Sequence, residues 1–313
     1  MSYKILVTPR SFGKSDPKPF TLLKEKGYEV IVNPYPRIMT QEEMIKEIKD
    51  VDGVIIGVDP LNSEVLTRAA NLRAISKYGV GLDNIDLELA KSRGIKVSKT
   101  IGANSEAVAE FAVTLMLATA RRMPFIDQEC RKRNWAKIKA IQMDHKTLGL
   151  IGLGNIGKCV TKKVSGYDMS VIAYDVVQDQ EYAKRNGIEF VDLETLLKKS
   201  DFISIHLPLV EATKNLISYK EFEMMKEKAV LVNTARGGII NEEALLWALK
   251  NNKIWGAGID VFEEEPPKND EFLKLDNIII GSHCAASTME AIDNMGIMAA
   301  QNLINSLEDV HER

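Results

Sequence analysis

The sequence predicts an α/β chain made of two doubly wound, parallel-sheet domains, and three observations carry that expectation. At 313 residues the chain is about twice the size of a typical domain. Short apolar runs alternate with helical patterns along its whole length. Midway along, at Gly152–Gly157, a glycine-rich turn directly follows one of those runs.

In the first hundred residues the strand-like runs are Ile5–Thr8, Glu29–Val32, Gly53–Val58, Leu72–Ser76 and Lys96–Lys99. Helical patterns at Pro19–Lys26, Gln41–Lys49 and Ser63–Ala70 separate them, which is the signature of βαβ units and a parallel sheet. One long helix is then expected from Asn104 to Arg122, capped by Asn104 or Ser105 and stopped before Pro124. It is apolar on nearly every side, so burial on more than one face, including against a partner subunit, is expected. The basic stretch that follows, residues 131–137, reads as a solvated face with Trp135 packed beneath it.

A second βα series begins at Lys146. Its six strands are Thr147–Ile151, Val171–Tyr174, Phe202–His206, Ala229–Asn233, Gly256–Ile259 and Asn277–Ile280. The last helix runs from Ser287 to Leu307 and opens on a Ser287-x-x-Glu290 capping box, with Met289, Ile292, Met295 and Leu303 on its apolar side. Hinges between the domains are expected near 99–101 and 283–287.

Composition narrows the function. The chain is 45% hydrophobic and 27% charged with a net charge of -3, which gives no support to a general nucleic-acid or anionic-membrane binder. Its three cysteines, Cys130, Cys159 and Cys284, suit a reducing compartment and offer neither a disulfide framework nor a CxxC zinc site; no metal is expected. Met1-Ser2-Tyr3-Lys4 leads straight into a strand without a signal-peptide core, and Glu106 and Glu110 interrupt the most apolar long stretch. A cytoplasmic protein without membrane association is the expectation.

The turn Gly152-Leu153-Gly154-Asn155-Ile156-Gly157 sits between a strand and a helix, the context that gives a GxGxxG string its meaning. Gly152 allows the tight turn, Gly154 lets backbone approach a pyrophosphate, and Gly157 lets helix pack close to strand. Asp175 ends the next strand 18 residues past Gly157, placed to accept hydrogen bonds from a ribose 2′-hydroxyl. Its charge would repel a 2′-phosphate, and Val176-Val177 follow rather than an arginine, so NAD(H) is expected over NADP(H). An S-adenosylmethionine methyltransferase also pairs a glycine turn with such an acid, but the blocks that follow point elsewhere.

Four blocks in order, Lys77–Asp86, Leu150–Gly157, Val232–Gly238 and Asp260–Pro266, make the whole chain resemble the D-isomer-specific 2-hydroxyacid dehydrogenases. The resemblance implies two Rossmann-like domains: a flavodoxin-like substrate domain formed by residues 1–100 and 287–313, and an inserted NAD-binding domain, 101–286. It also implies a catalytic set of Arg236, Glu265 and His283. A forked, permanently charged guanidinium suits a 2-keto acid, whose carboxylate adjoins a carbonyl. A positioned donor lowers the barrier as negative charge grows on the carbonyl oxygen. An imidazolium at His283 can protonate that oxygen, and a carboxylate at Glu265 would favour the charged ring and fix its orientation.

Cofactor contacts implied by the resemblance are Asn155, Ile156, Leu207, Pro208, Thr234, Ala235, Asp260 and Ala286, with Asp260 near the nicotinamide. His206, at a strand end, is expected to pack near the cofactor rather than act as a base. His145 and His311 read as surface residues. The Gly79-Val80-Gly81 loop is expected to meet a substrate carboxylate through backbone N–H groups, with Lys77 as the adjacent cation. Ser282 stands where the family commonly has proline before the catalytic histidine.

Within the family the resemblance favours the phosphoglycerate branch, interconverting 3-phosphoglycerate and 3-phosphohydroxypyruvate. That substrate needs cations for its phosphate; Arg10, Lys14 or a residue of the 131–139 stretch are the candidates. The alternative within the class is a glyoxylate or hydroxypyruvate reductase. From a different class, the same fold serves NADH-binding corepressors. A homodimer built through helix 104–122 is the expected assembly.

Overall fold

The computed structural model describes residues 2–309. The chain divides into two compact units, one of residues up to Asn104 together with those from Ser287 onward, the other of Ser105–Ala286. His311 lies outside the described residues.

The first unit contains β1 (Lys4–Val7), α1 (Lys18–Glu25), β2 (Glu29–Val32), α2 (Gln41–Ile48), β3 (Gly53–Ile56), α3 (Ser63–Arg68), β4 (Ala74–Lys77), α4 (Leu87–Ser92) and β5 (Lys96–Lys99). All five strands are parallel and ordered β2-β1-β3-β4-β5, the flavodoxin-like order. Alternation along β1 sends Ile5 and Val7 to one face and Leu6 to the other, so each face has its own apolar core. Burying one such side chain contributes roughly 1.5–3 kcal/mol.

The second unit opens with α5 (Ser105–Ala120) and α6 (Met123–Arg131). There follow β6 (Thr147–Ile151), α7 (Asn155–Lys163), β7 (Ser170–Tyr174), α8 (Gln180–Asn186), β8 (Glu189–Phe190), α9 (Leu193–Lys199), β9 (Phe202–Ile205), α10 (Tyr219–Met224), β10 (Val230–Asn233), α11 (Glu242–Lys250), β11 (Gly256–Ile259) and β12 (Ile278–Ile280). The sheet is parallel, ordered β12-β11-β10-β9-β6-β7-β8. It is the doubly wound dinucleotide-binding order, with its topological switch between β6 and β9. The chain then returns to the first unit as α12 (Met289–Glu308), which packs on α1, β3, β4 and β5.

Several local expectations are corrected. The second unit has a seventh strand, β8, whose two residues are too short for a periodic signal and pair only with Ile172 and Ala173. The long helix ends at Ala120, and α6 starts at Met123 with Pro124 in its first turn, where a missing N–H costs nothing. Asn104 does not cap α5: its side-chain oxygen is buried and unbonded. The cap of α12 is Thr288, whose Oγ1 accepts from Ala291 N–H, so the helix starts one residue later than the Ser287 box implied and leaves Met289 exposed. Trp135 is 80% exposed rather than packed beneath the basic stretch.

Glycines set how closely α5 seats on the second sheet. An added Cβ at Gly258 would meet Leu115 Cβ at 2.8 Å, and one at Gly256 would meet Thr119 Cγ2 at 3.0 Å. Because all strands are parallel, every strand-to-helix loop leaves the same edge of its sheet. The residues following β6, β7, β9, β10, β11 and β12 therefore share one rim.

Candidate active site

On that rim the glycine turn is built for close approach. Gly152 has φ +102°, and a Cβ there would strike the His206 carbonyl at 2.7 Å. A Cβ on Gly157 would collide with the Gly152 carbonyl, so helix and strand meet here without side chains. Gly154 faces open space and caps α7 without any side-chain bond, leaving the first amides of that helix directed outward. Asn155 beside it is exposed, whereas Ile156 turns back to the α5 side of the core. Asp175 holds the turn from the neighbouring strand: its Oδ2 accepts from Leu153 N–H at 2.8 Å and its Oδ1 from Val177 N–H at 3.0 Å. Each oxygen keeps a second lone pair for an incoming hydroxyl.

Two orphaned polar atoms lie further along the rim. The β9–β10 register pairs Ile205 with Asn233, which sets His206 beside Thr234. His206 Nδ1 and Thr234 Oγ1 are both buried without a partner among the described residues. Buried polar atoms of this kind are normally satisfied, and a bound dinucleotide would supply the missing partners. Outward helix amides, a side-chain-free turn, an acid at the second strand and two adjacent orphans thus fit NAD. Leu207 packs against Gly152, Pro208 is exposed, and Ala235 N–H is held by Asn233 Oδ1 at 3.0 Å.

His206 and His283 have opposite fates. Burial pushes the His206 imidazole down from 6.5 to about 4, so it is neutral at pH 7 and no proton donor; its Nε2 pairs with Ser204 Oγ at 2.9 Å. His283 is instead paired with a carboxylate. Its Nδ1 lies 3.1 and 3.0 Å from the two oxygens of Glu265, and both side chains are partly exposed. Its Nε2 has no protein partner among the described residues.

The His283 backbone is left-handed, with φ +56°, an unfavourable state for a non-glycine residue. Asp260 holds it there. His283 N–H donates to the Asp260 carbonyl at 2.8 Å, while the buried carboxylate accepts from Cys284 N–H at 3.0 Å and Ala285 N–H at 2.9 Å. Asp260, expected near the nicotinamide, thus organises the histidine loop. A side chain at Gly281 would fall on that carboxylate, and Ala286 follows the anchored pair, half-buried. Sequence reading had no signal for this role, which joins residues 24 positions apart.

Arg236 follows β10 on the same rim. Asn233 Nδ2 donates to its carbonyl at 2.8 Å, and its Nη1 donates to the Ala235 carbonyl at 2.7 Å. The next residue, Gly237, lies flat on the Phe262–Glu263 peptide, where any Cβ would clash with backbone.

In the first unit two of the expected substrate cations, Lys77 and Arg10, have partners within the protein. Lys77 ends β4 only 6% exposed and donates to the Gly57 carbonyl and Asn84 Oδ1, each at 2.6 Å. A buried ammonium needs such acceptors, so Lys77 is an internal tie of the loop cluster. Arg10 donates to the Pro36 carbonyl at 2.7 Å. In the glycine loop, Gly79 N–H is taken up by Thr100 Oγ1 at 2.9 Å, which corrects its expected role as a carboxylate donor. The Val80 and Gly81 amides have no partner among the described residues. Sequence reading also missed Asp59, buried and bonded to Thr8 Oγ1 at 2.5 Å and Met39 N–H at 2.9 Å, which fixes the loops at this edge.

Residues 113–285 match the model of the NAD-binding domain of the D-isomer specific 2-hydroxyacid dehydrogenases. Fold and rim together define an NAD-dependent oxidoreductase. The chain belongs to the D-isomer specific 2-hydroxyacid dehydrogenase family, and its cofactor is NAD. It is 40% identical over 290 residues to a glyoxylate reductase of Thermococcus litoralis, covering 90% of this chain and 88% of that one. It is also 40% identical over 287 residues to a D-3-phosphoglycerate dehydrogenase of Archaeoglobus fulgidus, covering 90% of this chain but 54% of that protein. Among solved structures, the D-lactate dehydrogenase of Aquifex aeolicus complexed with NAD and lactic acid superposes with TM-score 0.83 at 28% identity, covering 98% and 96% of the two chains.

The neutral His206 makes a pH prediction. Its folded value, about 4, lies below its ordinary 6.5, so the unfolded chain binds the extra proton and stability is lost as pH falls through that window. Between pH 7 and pH 5 the loss from this group is roughly 2 kcal/mol. Denaturant titrations of wild type and His206→Gln at both pH values should show a smaller drop in the variant; equal drops would remove the argument.

Proposed function

We propose that the chain reduces a small, unphosphorylated 2-keto acid, glyoxylate or hydroxypyruvate, to the D-2-hydroxy acid. The observation that carries this choice is that Arg10, one of the phosphate cations the sequence suggested, is turned to the protein's own Pro36 carbonyl. The full-length match to a glyoxylate reductase supports the same reading.

When bound, NADH supplies the hydride. His283 Nε2 donates the proton to the carbonyl oxygen, because Nδ1 is already turned to Glu265. Glu265 fixes which ring nitrogen faces the substrate. Arg236 binds the substrate carboxylate and the developing oxyanion with its fork of donors. Asp175 accepts the adenosine ribose hydroxyls and repels a 2′-phosphate.

We further place this enzyme in the cytoplasm as a homodimer. No helix is long and apolar enough to cross a membrane among the described residues. Helix α6 has no buried residue although it carries Met123, Phe125 and Ile126, and Met123 and Trp135 are 52% and 80% exposed. An unpartnered apolar face next to α5 suits a second copy of the chain.

NADH oxidation followed at 340 nm should show glyoxylate or hydroxypyruvate ahead of 3-phosphohydroxypyruvate in kcat/KM; a clear preference for the phosphorylated acid would restore the phosphoglycerate reading. His283→Ala and Arg236→Ala should each lower kcat/KM by about 100-fold or more. Near-wild-type activity in either variant would remove that residue from the mechanism. Asp175→Ala should weaken NADH binding and admit NADPH, and unchanged coenzyme preference would count against its ribose role. Light scattering should give twice the chain mass, with Phe125→Asp shifting the species toward monomer; a wild-type monomer would defeat the dimer.

A further inference from the structure

The turn that carries Glu265 is held from outside by a residue that none of the sequence motifs singles out. Glu242 is the first residue of α11, and its Oε1 accepts from the Glu263 backbone N–H at 2.6 Å. The side chain is half-buried, and burial raises its carboxyl above the ordinary value, the mark of an acceptor turned into the protein rather than a solvated surface acid. Three other constraints act on the same turn. The Phe262 ring is buried edge-on against Phe272 with centroids 5.7 Å apart. Phe262 N–H donates to Glu265 Oε1 at 3.2 Å. Gly237 presses its bare Cα face onto the Phe262–Glu263 peptide. The aromatic contact and the glycine contact limit where the turn can lie. The Phe262 bond is internal to the turn and moves with it. Glu242 supplies a directional polar tie from a neighbouring helix.

We infer that Glu242 is a positioning residue for the Glu265–His283 pair: by gripping Glu263 N–H it sets the turn so that Glu265 meets His283 Nδ1 with both oxygens. The inference rests on the proposed acid role of His283 and deepens it. One short stretch, 236–242, then carries the substrate-binding guanidinium at its start and the anchor of the acid pair at its end. The distance between the two functions is set by the Gly237-Gly238 turn and the first residues up to α11. A carboxylate accepting a backbone N–H gives a charge-assisted bond, and an amide oxygen at the same place accepts the same proton.

The test is a double-mutant cycle on the holoenzyme with glyoxylate and hydroxypyruvate. Glu242→Ala should lower kcat about tenfold, the scale of a displaced catalytic group, while NADH affinity by fluorescence titration stays at the wild-type value. Glu242→Gln should recover most of that loss because its carbonyl still reaches Glu263 N–H. In a Glu265→Gln background, adding Glu242→Ala should change kcat by less than about twofold, since the geometry it protects no longer carries the carboxylate. Should alanine fail to fold, Glu242→Asp, which keeps the charge but shortens the reach, takes its place and should behave as alanine does. Additive losses in the cycle, or a glutamine variant as impaired as alanine, would overturn the positioning role and point to helix stability alone. Wild-type kcat in the Glu265→Gln single variant would instead overturn the acid-pair reading on which this inference stands.

Discussion

The grip of Asp260 on the loop after β12 is the interaction on which the site depends. One buried carboxylate accepts two consecutive amides, Cys284 and Ala285, and its own backbone carbonyl accepts a third from His283. A left-handed histidine costs on the order of 1–3 kcal/mol, which persists only where the surroundings over-determine it. Charge-assisted bonds inside a protein are of the size needed to offset that cost. The parallel sheet makes the arrangement feasible, because β11 and β12 are neighbours and both end on the rim. The imidazole is thereby presented by rigid strand ends instead of a long wandering loop.

Two histidines on the same rim show how environment divides labour. His206 is kept neutral by burial and offers its buried Nδ1 as an orphan beside Thr234 Oγ1. His283 is partly solvated and turns Nδ1 to both oxygens of a carboxylate. The same side chain is thus a neutral, buried hydrogen-bonding group at one position and a carboxylate-paired ring at the other. Glycines divide similarly: Gly152 and Gly157 are required by close backbone contacts, whereas Gly154 opens the helix end.

The first unit reaches its precision through buried polar ties. Asp59, Thr8, Asn84 and Lys77 bind one another's loops through side-chain and backbone bonds at the ends of β1, β3 and β4. Such a network fixes the turn at Gly79, whose φ of +134° and bond to Thr100 leave the following amides as the available donors. It also holds Lys77, because an ammonium at a buried strand end is gripped by the nearest oxygens.

The sequence by itself determined the alternation of strands and helices, the glycine turn and the acid at Asp175. Each of these depends on local chemistry: periodicity, the absence of a Cβ, or a charge at a strand end. The pairing of Glu265 with His283 was legible only through the resemblance, since 18 residues separate the two and no spacing rule joins them. Tertiary structure alone decided the remainder. Asp260 became an anchor of the histidine loop, Lys77 and Arg10 turned to internal carbonyls, Trp135 came to the surface, and Glu242 met Glu263 across 21 residues. The physical reason is common to all of them. A polar side chain's role is set by which partners the folded backbone brings within about 3 Å, and that distance follows from sheet register and helix packing rather than from the residues beside it in sequence.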